Sequence, residues 1–378
     1  MRAPLLLAML AAACSDRDEA VGVTEWAVSI LSPSQVAASS ATGFLALRDP
    51  AGIAVIEPSG LLRWRVGDLA SSPVCVALDE AGDLYLIDGG PGTRFLRRYA
   101  TGEKMLAWER TIEVPEGAQF DGPCVVADGV LTLFAVTTAP VDLGGGPVGD
   151  VSDPAIAARF DLDGQPLTSR VIENAYGRPV VAAGGPVAAY VTEAGFSYLV
   201  ALDARGDDLW RDGYSAHVLA LSAADDGELT LLIDGQSDAR EVVRLDADRR
   251  QRWSVVARDG SMTALGDGSV VLVSGEGLVN EVNVGVLDHV DRNGDSIDQE
   301  LFPDPVSIAI ANTPAPDAYW IVGRPDASGQ AHLHDTTVDV IGDAFLARRR
   351  LVSGRRAAAG PPAGGAGNRP DRRAAGRR

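Results

Sequence analysis

The sequence predicts an all-β chain folded as a seven-bladed β-propeller. Each blade has four antiparallel strands, and the N-terminal strand closes the last blade. Three observations predict it: a recurring tryptophan context, short alternating strands between turn signals, and complementary chain ends. Trp26, Trp64, Trp108, Trp210 and Trp253 each open a strand shortly after a polar segment or turn. Thr168 and Asp298 keep the frame without the ring, four residues after Gly164 and Gly294, as Trp64 stands four after Gly60. Intervals of about 40–45 residues between such anchors are those of propeller blades. The 60-residue step from Trp108 to Thr168 marks an insertion. The tryptophans are expected to pack between neighbouring blades rather than to stack on a carbohydrate, because each aromatic supplies much of the buried area.

Between anchors, a short apolar run leads through a Gly/Asp turn into a second strongly apolar strand. VALDEAGDLYLIDG (from Val76), ALSAADDGELTLLIDG (from Ala220) and MTALGDGSVVLVSG (from Met262) share this form, and DAYWIVGRP (from Asp317) repeats its second half. A third strand ends at a corner in YLVALDARG, EVVRLDADR and VGVLDHVDRNG. Alternation, β-branched residues and turns every ~8–12 residues indicate antiparallel strands, and no segment sustains a capped 3.6-residue period. The last unit supplies strands around Val306–Ile310, Ala318–Val322 and Ala331–Val338 but no tryptophan-type fourth strand. Glu25–Leu31 is such a strand with nothing before it. Joining the two leaves no open edge.

The first residues, MRAPLLLAMLAAACSD, place one positive charge before a short apolar run and small residues before Cys14, the layout of a secretory signal. Leu10 to Cys14 resembles a bacterial lipobox, with the leucine one place further out than usual. The expected organisation is a signal peptide at 1–13, a lipidated tether at 14–22, a propeller at 23–346 and a disordered Arg/Ala/Gly/Pro-rich tail at 347–378. Cleavage after Ala13 without lipidation is the alternative. Ser15, where an aspartate would favour inner-membrane retention, points to the outer membrane, with the periplasm as the other address. The expected membrane contact is through the lipid alone, since no later apolar run approaches the ~20 residues that span a bilayer.

The formal charge is −19, yet residues 348–378 hold ten arginines and one acid, so the body is far more acidic than the total. Such a body repels phosphate backbones, and nucleic acid is excluded as its partner. Lys104 is the only lysine. The arginine bias suggests a GC-rich coding sequence, so single arginines are given no functional weight. The Arg-rich tail can touch anionic head groups, or it can be a weakly selected terminus.

Cys75 and Cys124 sit in matching contexts in consecutive repeats. An oxidising compartment permits a disulfide, but a bridge needs Cα atoms within ~7 Å. Two buried free thiols are expected, with the disulfide as the alternative. Asp291, Asn293, Asp295 and Asp298 resemble the start of a calcium loop, but position twelve is Phe302 and the segment falls on an ordinary turn. No cofactor is assigned, and calcium stays the alternative there. His332 and His334, with Asp335 beside them, are read as an exposed strand face, and His217 and His289 stand alone in sequence. The insertion, PVDLGGGPV from Pro140, is expected to lie loosely on a blade face. No catalytic residue is assigned, because no nucleophile elbow or His-based set is present.

YLVALDARGDDLW (Tyr198–Trp210) resembles the repeat of quinoprotein-like propellers, including the scaffold lipoprotein of the outer-membrane β-barrel assembly machinery. APVDLGGGPV followed by AIAARFDLDGQPL resembles bacterial secreted seven-bladed propeller repeats that carry a Val-Asp-Phe-Gly-Gly-Gly motif. The resemblance covers about 23–346 and implies fold and export. The quinone and calcium ligands of the dehydrogenases have no counterpart in the sequence. The expected function is therefore a monomeric, non-catalytic binding or scaffold protein at the cell envelope, with a protein or glycan partner. A propeller hydrolase, lyase or quinone-dependent dehydrogenase with its site at the channel mouth is the alternative.

Overall fold

A computed structural model describes residues 20–353, apart from short breaks of which the longest spans 324–329. Every regular element among the described residues is a β-strand. Six sheets form from consecutive strands, and their order from inner to outer edge follows the chain. Sheet 1 holds Gln35–Ser39, Leu45–Asp49, Gly52–Ile56 and Leu62–Val66. Sheet 2 holds Cys75–Leu78, Leu84–Asp88, Thr93–Ala100 and Met105–Glu113. In sheet 3 the first strand is broken into Phe120–Asp121 and Cys124–Ala127, followed by Val130–Thr137, Ala155–Asp161 and Pro166–Val171. Sheet 4 holds Tyr176–Val181, Val187–Val191, Ser197–Leu202 and Asp208–Tyr214. Sheet 5 holds Val218–Ala223, Leu229–Asp234, Arg240–Leu245 and Gln251–Ala257. Sheet 6 holds Gly260–Ala264, Val270–Val279, Val282–Val290 and Ser296–Pro303.

A further sheet joins the two ends of the chain. Ala309–Asn312, Ala318–Gly323 and Ala344–Ser353 are its first three strands, and Ala20–Ile30 is the fourth. The N-terminal strand runs antiparallel to Ala344–Ser353, with Ala20 opposite Ser353, Trp26 opposite Arg348 and Ile30 opposite Ala344. Inner strands of successive sheets neighbour one another, except that sheet 3 meets the first strand of sheet 4 through Val130–Thr137, and the first strand of this closing sheet touches that of sheet 1. The fold is an all-β propeller.

The burial pattern explains why these segments are strands. Leu84–Asp88 is buried at every position, so its sequence reads as a continuous apolar run rather than an alternation. The outer strand Leu62–Val66 alternates and is exposed at its start. Apolar clusters bridge adjacent sheets: Cys75, Ile87 and Leu96 of sheet 2 pack with Leu133 and Phe160 of sheet 3. Leu232 and Val242 of sheet 5 pack with Val270 and Leu272 of sheet 6.

Three boundaries differ from the sequence reading. The N-terminal strand starts at Ala20, inside the expected tether. The third strand of the closing sheet is Ala344–Ser353, running past the expected limit at 346. Residues 331–338 instead contribute to a separate hairpin, Gln330–Leu333 with Thr336–Asp339. The Arg348-Arg349-Arg350 run disguised the true third strand as the start of a tail. Residues 1–19 and 354–378 lie outside the described residues.

Candidate functional site

The repeat builds the joints between sheets. The third-to-fourth turns of sheets 3 to 6 share one form: the amide of residue i donates to the carbonyl of residue i+4, and its own carbonyl accepts from residue i+3, which takes a left-handed backbone. Asp161, Asp203, Asp246 and Asp291 occupy position i. Each carboxylate also accepts the amides two and four residues on, as in Asp161 with Asp163 and Gln165 and Asp291 with Asn293 and Asp295. Position i+3 is Gly164, Gly206, Arg249 or Gly294, all with positive φ.

The fourth-strand anchor of one sheet sits on this turn of the next. Trp108 Nε1 donates to the carbonyl of Leu162 at 3.0 Å, and Trp253 Nε1 to that of Arg292 at 2.8 Å. Trp64 Nε1 donates to Thr101 Oγ1, at the matching turn position, at 3.4 Å. Arg249, standing where the glycine would be, places its guanidinium over the Trp210 ring at 4.9 Å. The tryptophans therefore pack between blades as expected. Trp26 has the same register position, but its side chain lies outside the described residues.

Arginines complete the joint, correcting the view that they only report codon bias. Arg98, Arg159, Arg244 and Arg348 lie on third strands opposite the anchors Trp108, Thr168, Trp253 and Trp26. Arg98 donates to the Leu162 carbonyl, Arg159 to the carbonyls of Asp203 and Ala204, and Arg348 to that of Pro58 at 3.4 Å. A guanidinium has five donors and stays charged when buried, so it reaches a neighbouring turn while pairing within its own sheet. Arg98 also holds Asp83 at 2.7 Å, and Arg244 holds Glu228 at 2.7 Å. The junction from the closing sheet to sheet 1 thus uses the same kind of donor and turn carbonyl as the junctions from sheet 2 to 3 and from sheet 3 to 4.

The shifted carboxyls of Glu228, Asp79 and Asp88 have partners in the sheets themselves. Burial acts to raise Glu228, but hydrogen bonds from Arg244 and Arg292 outweigh it and hold the carboxyl below its usual range. Burial pushes Asp79 up despite the Asp83 amide on its carboxylate, and pushes the Tyr85 hydroxyl, 3.2 Å from Asp79, well up too. Burial likewise raises Asp88 against the Arg97 guanidinium at 2.6 Å. These groups have structural partners that account for their environments.

The ring has two distinct sides. Because strands alternate in direction, first-to-second and third-to-fourth turns share one side, here the turn side. Second-to-third connections lie on the other, the insertion side. Both added hairpins fall there: Val141–Asp142 with Pro147–Val148 in sheet 3, and Gln330–Leu333 with Thr336–Asp339 in the closing sheet. The glycine-rich insertion is not loose decoration. Val141 and Leu143 are fully buried in the cluster shared by sheets 2 and 3, and Asp142 accepts from Gly144 and Gly146. Gly144 and Gly146 take φ of +103° and +100°, and a Cβ on Gly144 would stand 2.5 Å from the Pro166 ring, which explains the glycines at these two positions. The two apolar residues within a Gly/Pro stretch were the overlooked signal.

Cys75 and Cys124 are disulfide-bonded, with Cα atoms 5.4 Å apart, so the reading as free thiols is corrected. Both open first strands, and near the ring centre neighbouring first strands lie close enough to bridge. His217 Nδ1 is 3.4 Å from Asp234 on an exposed edge, while His289 is buried against Tyr319. His332 lies opposite Thr337 in its hairpin, and His334 and Asp335 lie outside the described residues. Asp291, Asn293 and Asp295 form the shared turn, and Asp298 pairs with His289 in register. Among the described residues, no three His, Cys, Asp or Glu side chains are grouped to hold a metal.

No family model matches the chain, and neither does any curated protein. Solved structures do. The Dos1 propeller aligns over 80% of this chain and 75% of its own, at 11% identity and a TM-score of 0.50. The Cps50 (Swd1) β-propeller domain of Myceliophteria thermophila aligns over 86% and 100%, at 11% identity and 0.49. A protein of unknown function from Bacteroides caccae aligns over 66% and 89%, at 14% identity and 0.40. At such identity the likeness to the Dos1 propeller concerns fold alone, and it agrees with the sheet topology: this chain is a β-propeller.

Proposed function

We propose that the chain is an exported binding or scaffold protein, anchored by a lipid on Cys14 to the outer membrane or facing the periplasm. In this reading the closing sheet is the seventh blade, and the protein is a non-catalytic monomer. One observation carries the binding role: both added hairpins emerge on the insertion side, opposite the side where Ala20 and Ser353 leave the closing sheet. Extra loops concentrated on one side of a rigid ring form a presentation surface. The disulfide and buried Leu143 fix part of that surface, which limits the entropy lost when a partner docks. The signal-like residues 1–13 and the lipobox-like approach to Cys14 support the address.

Photo-crosslinkers placed at Val151 and Phe196, both half-exposed or more on the insertion side, test the reading in intact cells. A single reproducible protein or glycan adduct from these positions is expected. Repeated recovery of none, or equal capture from the turn side, contradicts it.

A further inference from the structure

We propose that the turn side of the ring is its membrane-facing side, seated on lipid through a rim of exposed aliphatic residues. The inference rests on the lipid anchor proposed at Cys14. The rim comes from the repeat. Leu61, Leu62, Met105, Leu106, Leu167 and Leu209 stand within one residue of the start of the fourth strands of sheets 1 to 4, and each is 40–66% exposed. Scattered surface leucines need no explanation, but six within the three residues before the anchors of four consecutive sheets form a stripe. Val151, Phe196 and Val256, the other large apolar residues exposed among the described residues, lie elsewhere: two in insertion-side connections and one near the end of a fourth strand.

The chain ends name the occupant. Ala20–Ile30 is itself a fourth strand, so it starts on the turn side, beside the stripe. Its ladder extends well before the anchor, with Ala20, Val21 and Gly22 opposite Ser353, Val352 and Leu351. The ladders of the fourth strands of sheets 1, 3 and 4 begin two residues before their anchors, and that of sheet 2 three before. The terminal pair therefore projects from the turn side by about 13 Å, at about 3.3 Å per residue. Cys14 precedes Ala20 by six residues, which reach about 20 Å at most. A lipid on Cys14 therefore holds this side close to the bilayer. From Ser353 the chain runs on into a segment with seven arginines and one acid, so the lipid and the basic residues leave from one place. Basic residues next to a surface favour anionic head groups, offsetting the acidic turns Asp161, Asp203, Asp246 and Asp291.

Environment-sensitive thiol labels test the orientation. With Cys75 and Cys124 bridged and Cys14 acylated, an introduced cysteine is the free one. The full exported chain carrying L167C, L209C, F196C or V151C is labelled and reconstituted into phosphatidylethanolamine–phosphatidylglycerol vesicles. Labels at 167 and 209 should brighten roughly two-fold and shift to the blue as they leave water, while those at 151 and 196 stay unchanged. Mass spectrometry of the N-terminal peptide reports the lipid separately. Acylated protein whose 167 and 209 labels stay silent, or whose 151 and 196 labels respond equally, overturns the orientation and leaves the anchor standing. Protein found unacylated is remade with Cys14→Ser so that the introduced cysteine is again the free one; 167 and 209 labels that then respond to added vesicles support the seat and overturn the anchor. Unacylated and silent protein overturns both.

Discussion

The indole of Trp108 lies across the backbone of Gly164 in the neighbouring sheet while its Nε1 donates to the Leu162 carbonyl at 3.0 Å. The contact is possible because Gly164 adopts φ +80° and has no Cβ, which would stand 2.8 Å from the ring. Gly164→Ala combines a left-handed alanine with overpacking and should cost about 3 kcal/mol in denaturant unfolding. Gly102→Ala, where a Cβ meets nothing within 4 Å, should change stability by less than about 0.5 kcal/mol. Equal effects would mean the tryptophan joint is not under compression.

Glu228 links three arginines across sheets 5 and 6: Arg244 at 2.7 Å, Arg252 at 3.1 Å and Arg292 at 3.2 Å. Its folded pKa lies below the unfolded value of about 4.3. Such a group adds stability that is fully present above the unfolded pKa and is lost as pH falls through the folded one. Glu228→Gln should therefore cost about 3 kcal/mol at pH 7 and show a smaller further loss between about pH 5 and 3 than the parent. The raised carboxyls of Asp79 and Asp88 act with the opposite sign in both proteins, so the difference between the two acid limbs isolates Glu228. Parallel pH profiles would contradict the assignment.

The bridge between Cys75 and Cys124 closes a loop across 49 residues of sequence. Chain entropy assigns such a cross-link about 4 kcal/mol at most. Reduction, or the double change to alanine, should lower stability toward that amount, and a thiol assay on unreduced protein should find neither cysteine free. Two titratable thiols at these positions would restore the reading made from sequence.

Leu143 is buried within the glycine-rich insertion. Leu143→Ala should cost about 3 kcal/mol, whereas Val151→Ala, at a position 76% exposed, should stay within about 0.5 kcal/mol. Calorimetry of the two variants decides between a packed hairpin and a loose one.

The strands and anchors were legible in the sequence because buried second strands read as apolar runs and the tryptophans keep a fixed place in the repeat. The N-terminal partner of the last sheet was legible for the same reason, through Trp26. The third strand of that sheet was not, since Arg348-Arg349-Arg350 matches the composition of a solvated tail. A finer signal was present: Arg159 and Arg244 each stand nine residues before an anchor, and Arg98 ten before. The disulfide and the packing of Leu143 depend on distances between sheets, which sequence spacing does not report. The turn-side stripe escaped because single exposed leucines look ordinary until the repeat aligns them.

Closure of the ring by the N-terminal strand is tested most directly by native-state hydrogen exchange over residues 20–30. The amides paired with Ala344–Ser353 should be protected as strongly as those of the other outer strands, Leu62–Val66, Asp208–Tyr214 and Gln251–Ala257. Exchange at the rate of an unprotected chain end, with those strands still protected, would contradict the closed ring.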